Sequence, residues 1–334
     1  MTIKDLSALT GYSVGTISRV LNKQPNVSER ARTVILEAAQ AHGFQLNTNA
    51  KQLKQQHGTA IAVVVKGSSN ELFGSLVEAL QRRAAQTPYP LIVDYIDEND
   101  NEVLRAVQLC REKKPLGLMF LGGNRECFLQ DFDKITVPAV LVTGTAEGLP
   151  FRNLSSVSTD DILAAKTAIG HLVSLGHRRI GILGGNLRQS DTSALRYQGC
   201  REALRDHGID FSRDRDYVPS RFSFDGGYRA ARELLERRSD VTALFAMSDV
   251  IAIGAIRALE DAGKRVPEDV SVVGVDGLAI GSYTVPRLTT LCQPVEELAE
   301  RSLALLRQNM EDQPQPRHEI LDICLKIRES TRTA

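Results

Sequence analysis

A serine set between two glycines, Gly11-Tyr12-Ser13-Val14-Gly15, has the spacing of a nucleophile elbow, a sharp turn that exposes a serine hydroxyl for acyl transfer. That chemistry needs a buried strand before the serine and an oxyanion loop earlier still, whereas only ten residues of polar, helix-compatible character precede Gly11. Hydrolysis is excluded. The chain also lacks a Walker loop, a G-x-G-x-x-G turn, an H-E-x-x-H pair and carboxylates at a convincing spacing. Its six histidines (His42, His57, His171, His177, His207 and His318) are scattered, as surface or structural side chains are. Five cysteines (Cys110, Cys127, Cys200, Cys292 and Cys324) are an odd number without a C-x-x-C pair, and no histidine stands at zinc-finger spacing. Buried, reduced thiols are expected, with no catalytic centre, no metal and no cofactor.

The same glycine-rich stretch fits a different task. Short helix-compatible segments at 3–10 and 14–22 flank Gly11-Tyr12-Ser13, and Ser28 stands where it caps a third helix reaching about His42. Ser7 is small where two helices touch, Gly11 suits a turn of positive φ, and Ile17 and Val20 give the second helix an apolar face. That helix turns Val14, Gly15, Ser18 and Arg19 outward, with Ser13 as its cap and Thr16 beside it. Small residues and one guanidinium suit close approach to a DNA major groove. Residues 1–57 carry seven cations against three acids, and no acid occurs from 38 to 70, although the whole chain balances 41 cations against 41 acids. The positive charge is thus local to the helical end.

From residue 59 the pattern changes. Apolar, β-branched runs at 60–65, 91–95, 116–121, 139–142, 180–183, 243–246 and 270–275 alternate with helical stretches such as 72–85, 103–112, 161–175, 194–207, 226–237 and 250–262. Such alternation predicts an α/β fold with parallel sheets, too many strands for one small sheet, and hence two lobes with a cleft between their strand ends. Leu121-Gly122-Gly123-Asn124-Arg125 and Leu183-Gly184-Gly185-Asn186 each end an apolar run, as two tandem lobes would have it. The start of the 334-residue chain has no signal-type apolar region and no run is long enough to span a bilayer, so a cytoplasmic location without membrane contact is expected.

Several stretches then resemble one family. Thr2-Ile3-Lys4-Asp5-Leu6, Gly11-Tyr12-Ser13, Thr16-Ile17-Ser18-Arg19-Val20-Leu21-Asn22, Val27-Ser28 and Gly43-Phe44 are similar to the signature of the lactose/galactose repressor family. Further on, His177-Arg178-Arg179-Ile180-Gly181, Arg196-Tyr197-Gln198-Gly199, Ser248-Asp249, Val270 through Asp276 and Pro286-Arg287-Leu288-Thr289-Thr290 resemble its effector domain in order. The resemblance covers nearly the whole chain. It implies an α/β, two-lobed periplasmic-binding-protein-like effector domain behind an N-terminal all-α helix-turn-helix headpiece. The implied division is a headpiece at 1–46, a hinge helix and linker at 47–57, and an effector-binding and dimerisation domain at 58–334. Its first lobe takes about 58–157 and 291–317, its second about 158–290 and 318–330.

The resemblance further implies a transcriptional repressor of sugar-utilisation genes that binds a pseudo-palindromic operator as a homodimer. DNA contacts are assigned to Ser13, Val14, Gly15, Thr16, Ser18, Arg19 and Asn22, with Leu53 as a minor-groove wedge and Ala50 as the small residue between paired hinge helices. Effector contacts are assigned to Asn70, Phe73, Arg196, Phe222, Ser248 and Asp276. Two phenylalanines suit a sugar face, and a guanidinium with a carboxylate suits its hydroxyls. Ser248 stands where relatives often carry asparagine, Gly277 where they carry a second acid, and Thr143 at a further pocket position, so the effector, a sugar or sugar derivative, is not read by copying a relative. A transport-type sugar-binding protein or an enzyme on the same scaffold is the alternative. The chain's end at Ala334, without a heptad tail, predicts a dimer rather than a tetramer.

Overall fold

The computed structural model describes residues 3–21, 27–42, 58–312 and 315–334. The chain divides into two compact units, Met1–Gly58 and Thr59–Ala334. In the first, α1 (Ile3–Thr10), α2 (Val14–Leu21) and α3 (Glu29–Ala41) enclose Leu6, Ile17, Val20, Ala31, Ile35 and Ala39. Gly11 makes the turn between α1 and α2 with φ 71°, a conformation that only a residue without Cβ adopts freely. The Ser7 hydroxyl donates to the Tyr12 carbonyl at 2.7 Å, so this small residue ties the turn together besides leaving room for it. Ser28 accepts from the Ala31 amide and starts α3. The expected hinge helix, with Ala50 and Leu53, and Asn22 lie outside the described residues.

The second unit follows the alternation of the sequence. Its elements are β1 (Ile61–Lys66), α4 (Glu71–Ala84), β2 (Leu91–Ile96), α5 (Glu102–Lys113), β3 (Gly117–Leu121), α6 (Arg125–Asp131), β4 (Ala139–Val142) and β5 (Leu154–Thr159). Then come α7 (Asp161–Ser174), β6 (Ile180–Gly184), α8 (Asp191–Asp206), α9 (Arg213–Asp216), β7 (Tyr217–Pro219), α10 (Phe224–Arg237), β8 (Ala243–Ala246), α11 (Asp249–Asp261), β9 (Ser271–Asp276) and β10 (Thr289–Cys292). The last are α12 (Val295–Glu311), β11 (His318–Leu321) and β12 (Cys324–Lys326).

These strands form two sheets, ordered β11-β5-β4-β3-β1-β2 and β12-β10-β9-β8-β6-β7. Every pairing is parallel except β10 with β12. Helices cover both faces, as parallel sheets demand. Leu76 and Leu80 of α4 meet Leu298 and Leu306 of α12 on one side of the first sheet, and Val103 and Phe128 fill the other. In the second lobe Leu234 and Leu259 of α10 and α11 oppose Ile169 and Leu204 of α7 and α8 across the sheet.

The chain passes between the lobes three times, after β5, after β10 and between β11 and β12. This corrects the expected division in three places. β5 stays in the first lobe through Thr159, β10 belongs to the second lobe through Cys292, and His318–Leu321 pairs with β5 in the first lobe rather than lying in the second. The stretch 318–326, expected wholly in the second lobe, is accordingly two strands in two sheets, divided at Asp322-Ile323. The Leu-Gly-Gly-Asn stretches are not equivalent points of tandem lobes either. One ends the third strand of its sheet, β3, and the other ends the first strand of the second sheet, β6. Among the described residues no helix is long and apolar enough to cross a membrane.

Candidate functional site

Both sheets run in the order in which the first strand is flanked by the second and the third, so each has a switch point where neighbouring connections leave in opposite directions. Loops diverge there and leave a crevice at the carboxyl ends of the strands. The two crevices meet in one cleft lined by Lys66, Asn70, Phe73, Glu98, Thr143, Gln189, Ser190, Thr192, Arg196, Phe222, Asp276 and Gln293.

The Leu-Gly-Gly-Asn stretches find their purpose here. A Cβ on Gly122 would lie 2.9 Å from the Phe73 ring, and one on Gly185 would lie 2.7 Å from the Phe222 ring. Each glycine thus makes room for one of the two aromatic faces of the cleft. The stretches also touch one another, since the Asn124 carboxamide donates to the Arg188 carbonyl at 2.9 Å while its oxygen caps α6 through the Glu126 amide. The lobes are closed on each other by further bonds. Arg221 pairs with Asp97 and, at 3.0 Å, with Glu98, Glu98 accepts from the Phe222 amide at 3.2 Å, and Asp191 accepts from the Arg125 amide.

Charge in the cleft is arranged in pairs. Lys66, at the end of β1, is bonded to Glu102, whose other oxygen accepts from the Asn124 amide at 2.5 Å. Arg196 of α8 is almost wholly buried, donates its Nε to Asp161 at 2.8 Å and bonds the Met247 carbonyl. Burial pushes the Glu98 carboxyl up, against the pull of the Phe222 amide and Arg221. Asp276, the last residue of β9, is the exception to pairing. One oxygen accepts from Gln293 Nε2 at 2.9 Å, but Oδ2 is buried and has no hydrogen-bond partner. Burial raises its pKa to about 7, with the Arg196 guanidinium opposing the rise. Its φ of 125° is itself unusual for a residue with a side chain, and such strain gathers at binding sites.

Of the expected effector residues, Asn70, Phe73, Arg196, Phe222 and Asp276 come together in this cleft. Asn70 also caps α4 through the Leu72 amide. Ser248 does not line the cleft. It is buried, and its hydroxyl accepts from the Ile251 amide at the start of α11, which is work that a serine does by itself. Next to it, Asp249 is buried outside the cleft lining and is held by Thr290 at 2.5 Å and the Leu278 amide at 2.7 Å; burial, then the nearby Asp276, push its carboxyl up. Lys66, Glu98, Thr192 and Gln293 were not expected. A charged residue directly after the apolar run at 60–65 was the available signal for Lys66; nothing local marked the others.

In the helical unit, α2 buries Ile17 and Val20 and leaves Val14, Gly15 and Arg19 exposed, with Thr16 and Ser18 half-buried. Ser13 accepts from the Thr16 amide at 3.2 Å and so caps the helix, and Arg19 Nε donates back to the Gly15 carbonyl at 3.3 Å. Among the described residues no three histidine, cysteine or acidic side chains are grouped to hold a metal.

Residues 2–47 match the family described as bacterial regulatory proteins, lacI family, and residues 169–331 match a periplasmic binding protein-like domain. The transcriptional regulator MalR of Clostridium butyricum is 33% identical over 99% of both chains. Among solved structures, the transcriptional regulator CelR in complex with cellobiose is 29% identical with a TM-score of 0.73, covering 99% of each chain. The lac repressor dimer bound to operator and an anti-inducer is 25% identical with a TM-score of 0.79, again over 99% of each.

Proposed function

The chain belongs to the LacI family of bacterial regulatory proteins, and on that footing we propose that it is a dimeric repressor whose operator affinity is set by a neutral sugar held in the cleft. It is a DNA-binding transcriptional regulator and not an enzyme, and it works where the chromosome is, in the cytoplasm. The observation that carries the choice of ligand is the pairing of charge. Both cations that line the cleft are already neutralised, Lys66 by Glu102 and Arg196 by Asp161, while Asp276 Oδ2 waits for a donor. A phosphate or carboxylate would enter without a free cation and against Asp276; a hydroxyl group donates to it and takes a bond from the guanidinium or ammonium in return. Phe73 and Phe222 supply apolar faces for the C–H side of a sugar ring.

A panel of neutral sugars, sugar phosphates and sugar acids in a thermal-shift assay tests this reading. At 100 times its dissociation constant a bound ligand adds about 2.7 kcal/mol to stability. A neutral sugar is expected to raise Tm and to change operator affinity; stabilisation by sugar phosphates alone would sink the neutral reading. Coupling of the usual size, ~1–3 kcal/mol, needs only that the ligand favours one arrangement of the lobes, and the bonds of Arg221 and Asn124 across the cleft are what such a ligand would strengthen or break.

Recognition of DNA falls to α2. Two copies related by a two-fold axis place two such helices in successive major grooves of a pseudo-palindrome. Arg19 is the one cation on this helix, and its guanidinium suits the O6 and N7 edge of guanine. Arg19→Ala is expected to lose ~1–3 kcal/mol, concentrated at one base pair of each half-site in a binding assay on point-substituted operators. Equal loss on operator and random DNA would instead assign Arg19 to phosphate contact. Ala50 and Leu53 are proposed as the hinge contacts on the same DNA, with Leu53 unstacking a base step. The dimer needs a surface. In the second lobe Ile280, Tyr283 and Val285 stand exposed together, the last two at 84% and 92%, and we assign this apolar group to contact with a second copy.

A further inference from the structure

The second sheet ends in a pair of thiols. β10 stops at Cys292 and β12 starts at Cys324, and in their antiparallel pairing these two residues are direct partners. Residues directly opposite in an antiparallel ladder have Cα atoms about 4.5–5.5 Å apart, inside the ~4.4–6.8 Å that a disulfide spans. Side chains alternate along a strand, and the preceding pair, Leu291 with Leu325, packs into the core beneath α7 and α8. Cys292 and Cys324 therefore share the opposite face of the sheet. Both are free thiols, Cys324 exposed and Cys292 half-buried, against the expectation that all five cysteines are buried. The remaining three lie on helices and not in this ladder. Cys200 is fully buried in the second lobe, and Cys110 and Cys127 lie on α5 and α6 of the first.

The position of the pair gives it leverage. Cys292 is the last residue before the second passage between lobes, and Cys324 follows the third. The next residue, Gln293, donates to Asp276 at 2.9 Å and accepts from Thr159, which stands at the first passage. The turn after Asp276 packs on the thiol itself, since a Cβ on Gly277 would lie 2.8 Å from Cys292 Sγ.

We propose that Cys292 and Cys324 are an oxidisable pair, a disulfide switch at the junction of the lobes that responds to hydroperoxides. The exposed Cys324 is met first. Its thiolate attacks one oxygen of hydrogen peroxide, the O–O bond breaks, and a sulfenic acid and hydroxide form, the latter leaving as water. Burial pushes the Cys292 thiol up, which leaves the first attack to the exposed Cys324. As a thiolate Cys292 then attacks the Cys324 sulfur, the S–S bond forms, the S–O bond breaks, and the departing hydroxide takes a proton. Two thiols and one peroxide become one disulfide and two waters, and a dithiol reductant reverses the change. The bond joins two of the three passages and fixes the end of β10, from which Gln293 reaches Asp276. Nothing in this depends on which molecule fills the cleft.

The test uses the full-length, reduced protein exposed to micromolar hydrogen peroxide, with remaining thiols blocked before digestion. Mass spectrometry without reductant is expected to find the peptides of Cys292 and Cys324 joined, two hydrogens lighter than their sum, and the count of titratable thiols to fall by two from five. Tm is expected to rise by a few degrees and to return with dithiothreitol. Cys292→Ser and Cys324→Ser should each fold as the wild type does, and neither should show the cross-link or the peroxide-dependent shift. Oxidation that leaves this peptide pair unjoined, or joins other cysteines, overturns the proposal; a cross-link that moves neither Tm nor operator affinity overturns the switch.

Discussion

Asp276→Asn is expected to bind the sugar at least tenfold more weakly and yet to unfold at a higher temperature than the wild-type protein. The weaker binding follows from the loss of a charge-assisted hydrogen bond at Oδ2, worth ~1.5–3 kcal/mol where ~1.4 kcal/mol is already tenfold. The gain in stability follows from burial. An acid whose pKa is raised by folding, here from 3.8 to about 7, makes the folded state less favourable at any pH where the unfolded chain has given up its proton. The penalty is absent below pH 3.8, grows up to about 7 and is constant above it. The asparagine has no such penalty and keeps an oxygen for Gln293. Its advantage in Tm should therefore be plain at pH 7.5 and largely gone near pH 4, which calorimetry at the two pH values measures. Loss of both stability and affinity would make Asp276 a structural residue and not a ligand contact.

Tyr283→Glu together with Val285→Glu is expected to give a folded monomer with operator affinity lowered at least a hundredfold. Both side chains stand almost wholly in solvent between the turn at Ala279–Ser282 and β10, so the substitutions disturb no core. Like charges brought together across a two-fold contact repel, and the contact is lost. What the monomer gives up is the joint hold on two half-sites; linking two weak binding events gains ~10²–10⁴ in affinity, and that gain disappears with the link. Sedimentation equilibrium and anisotropy with operator DNA measure the two effects. A double variant that remains dimeric would move the dimer contact elsewhere.

The parallel sheets were legible because strands buried on both faces leave continuous apolar runs, as at 60–65 and 243–246. β5 left no such mark. Its sequence, Leu154 through Thr159, has hydroxyl side chains at four of six positions, yet every one of its side chains is buried. Ser155 accepts from Asn309 and the Arg317 amide, and Ser156 accepts from the Ala146 amide and bonds His318, so partners that lie far along the chain satisfy what the local pattern marks as polar. β11 was placed with β12 in the second lobe for a related reason: a short stretch of strand character carries no sign of which sheet it joins. In the cleft, Arg196 and Asp276 were found through a family resemblance, whereas the Lys66–Glu102 pair, which decides the charge that a ligand meets, depends on two elements brought together only by folding. Ser248 was misplaced because a helix cap and a ligand contact at a strand end require the same kind of residue.

The three passages between lobes also set the order in which the protein is made. The first lobe is begun with β1 but lacks β11 and the covering helix α12 until the second lobe has been translated almost entirely. At ~5–20 residues per second that interval lasts on the order of ten seconds on the ribosome. During it the first sheet has an open edge at β5 and an uncovered apolar face over β3 and β4, where Leu298, Leu303 and Leu306 will later sit. The lobe started first is thus finished near the end of synthesis, and a nascent chain arrested anywhere between β5 and α12 exposes a surface that chaperones recognise. The small helical unit, continuous in sequence, is under no such constraint and folds as soon as it leaves the exit tunnel.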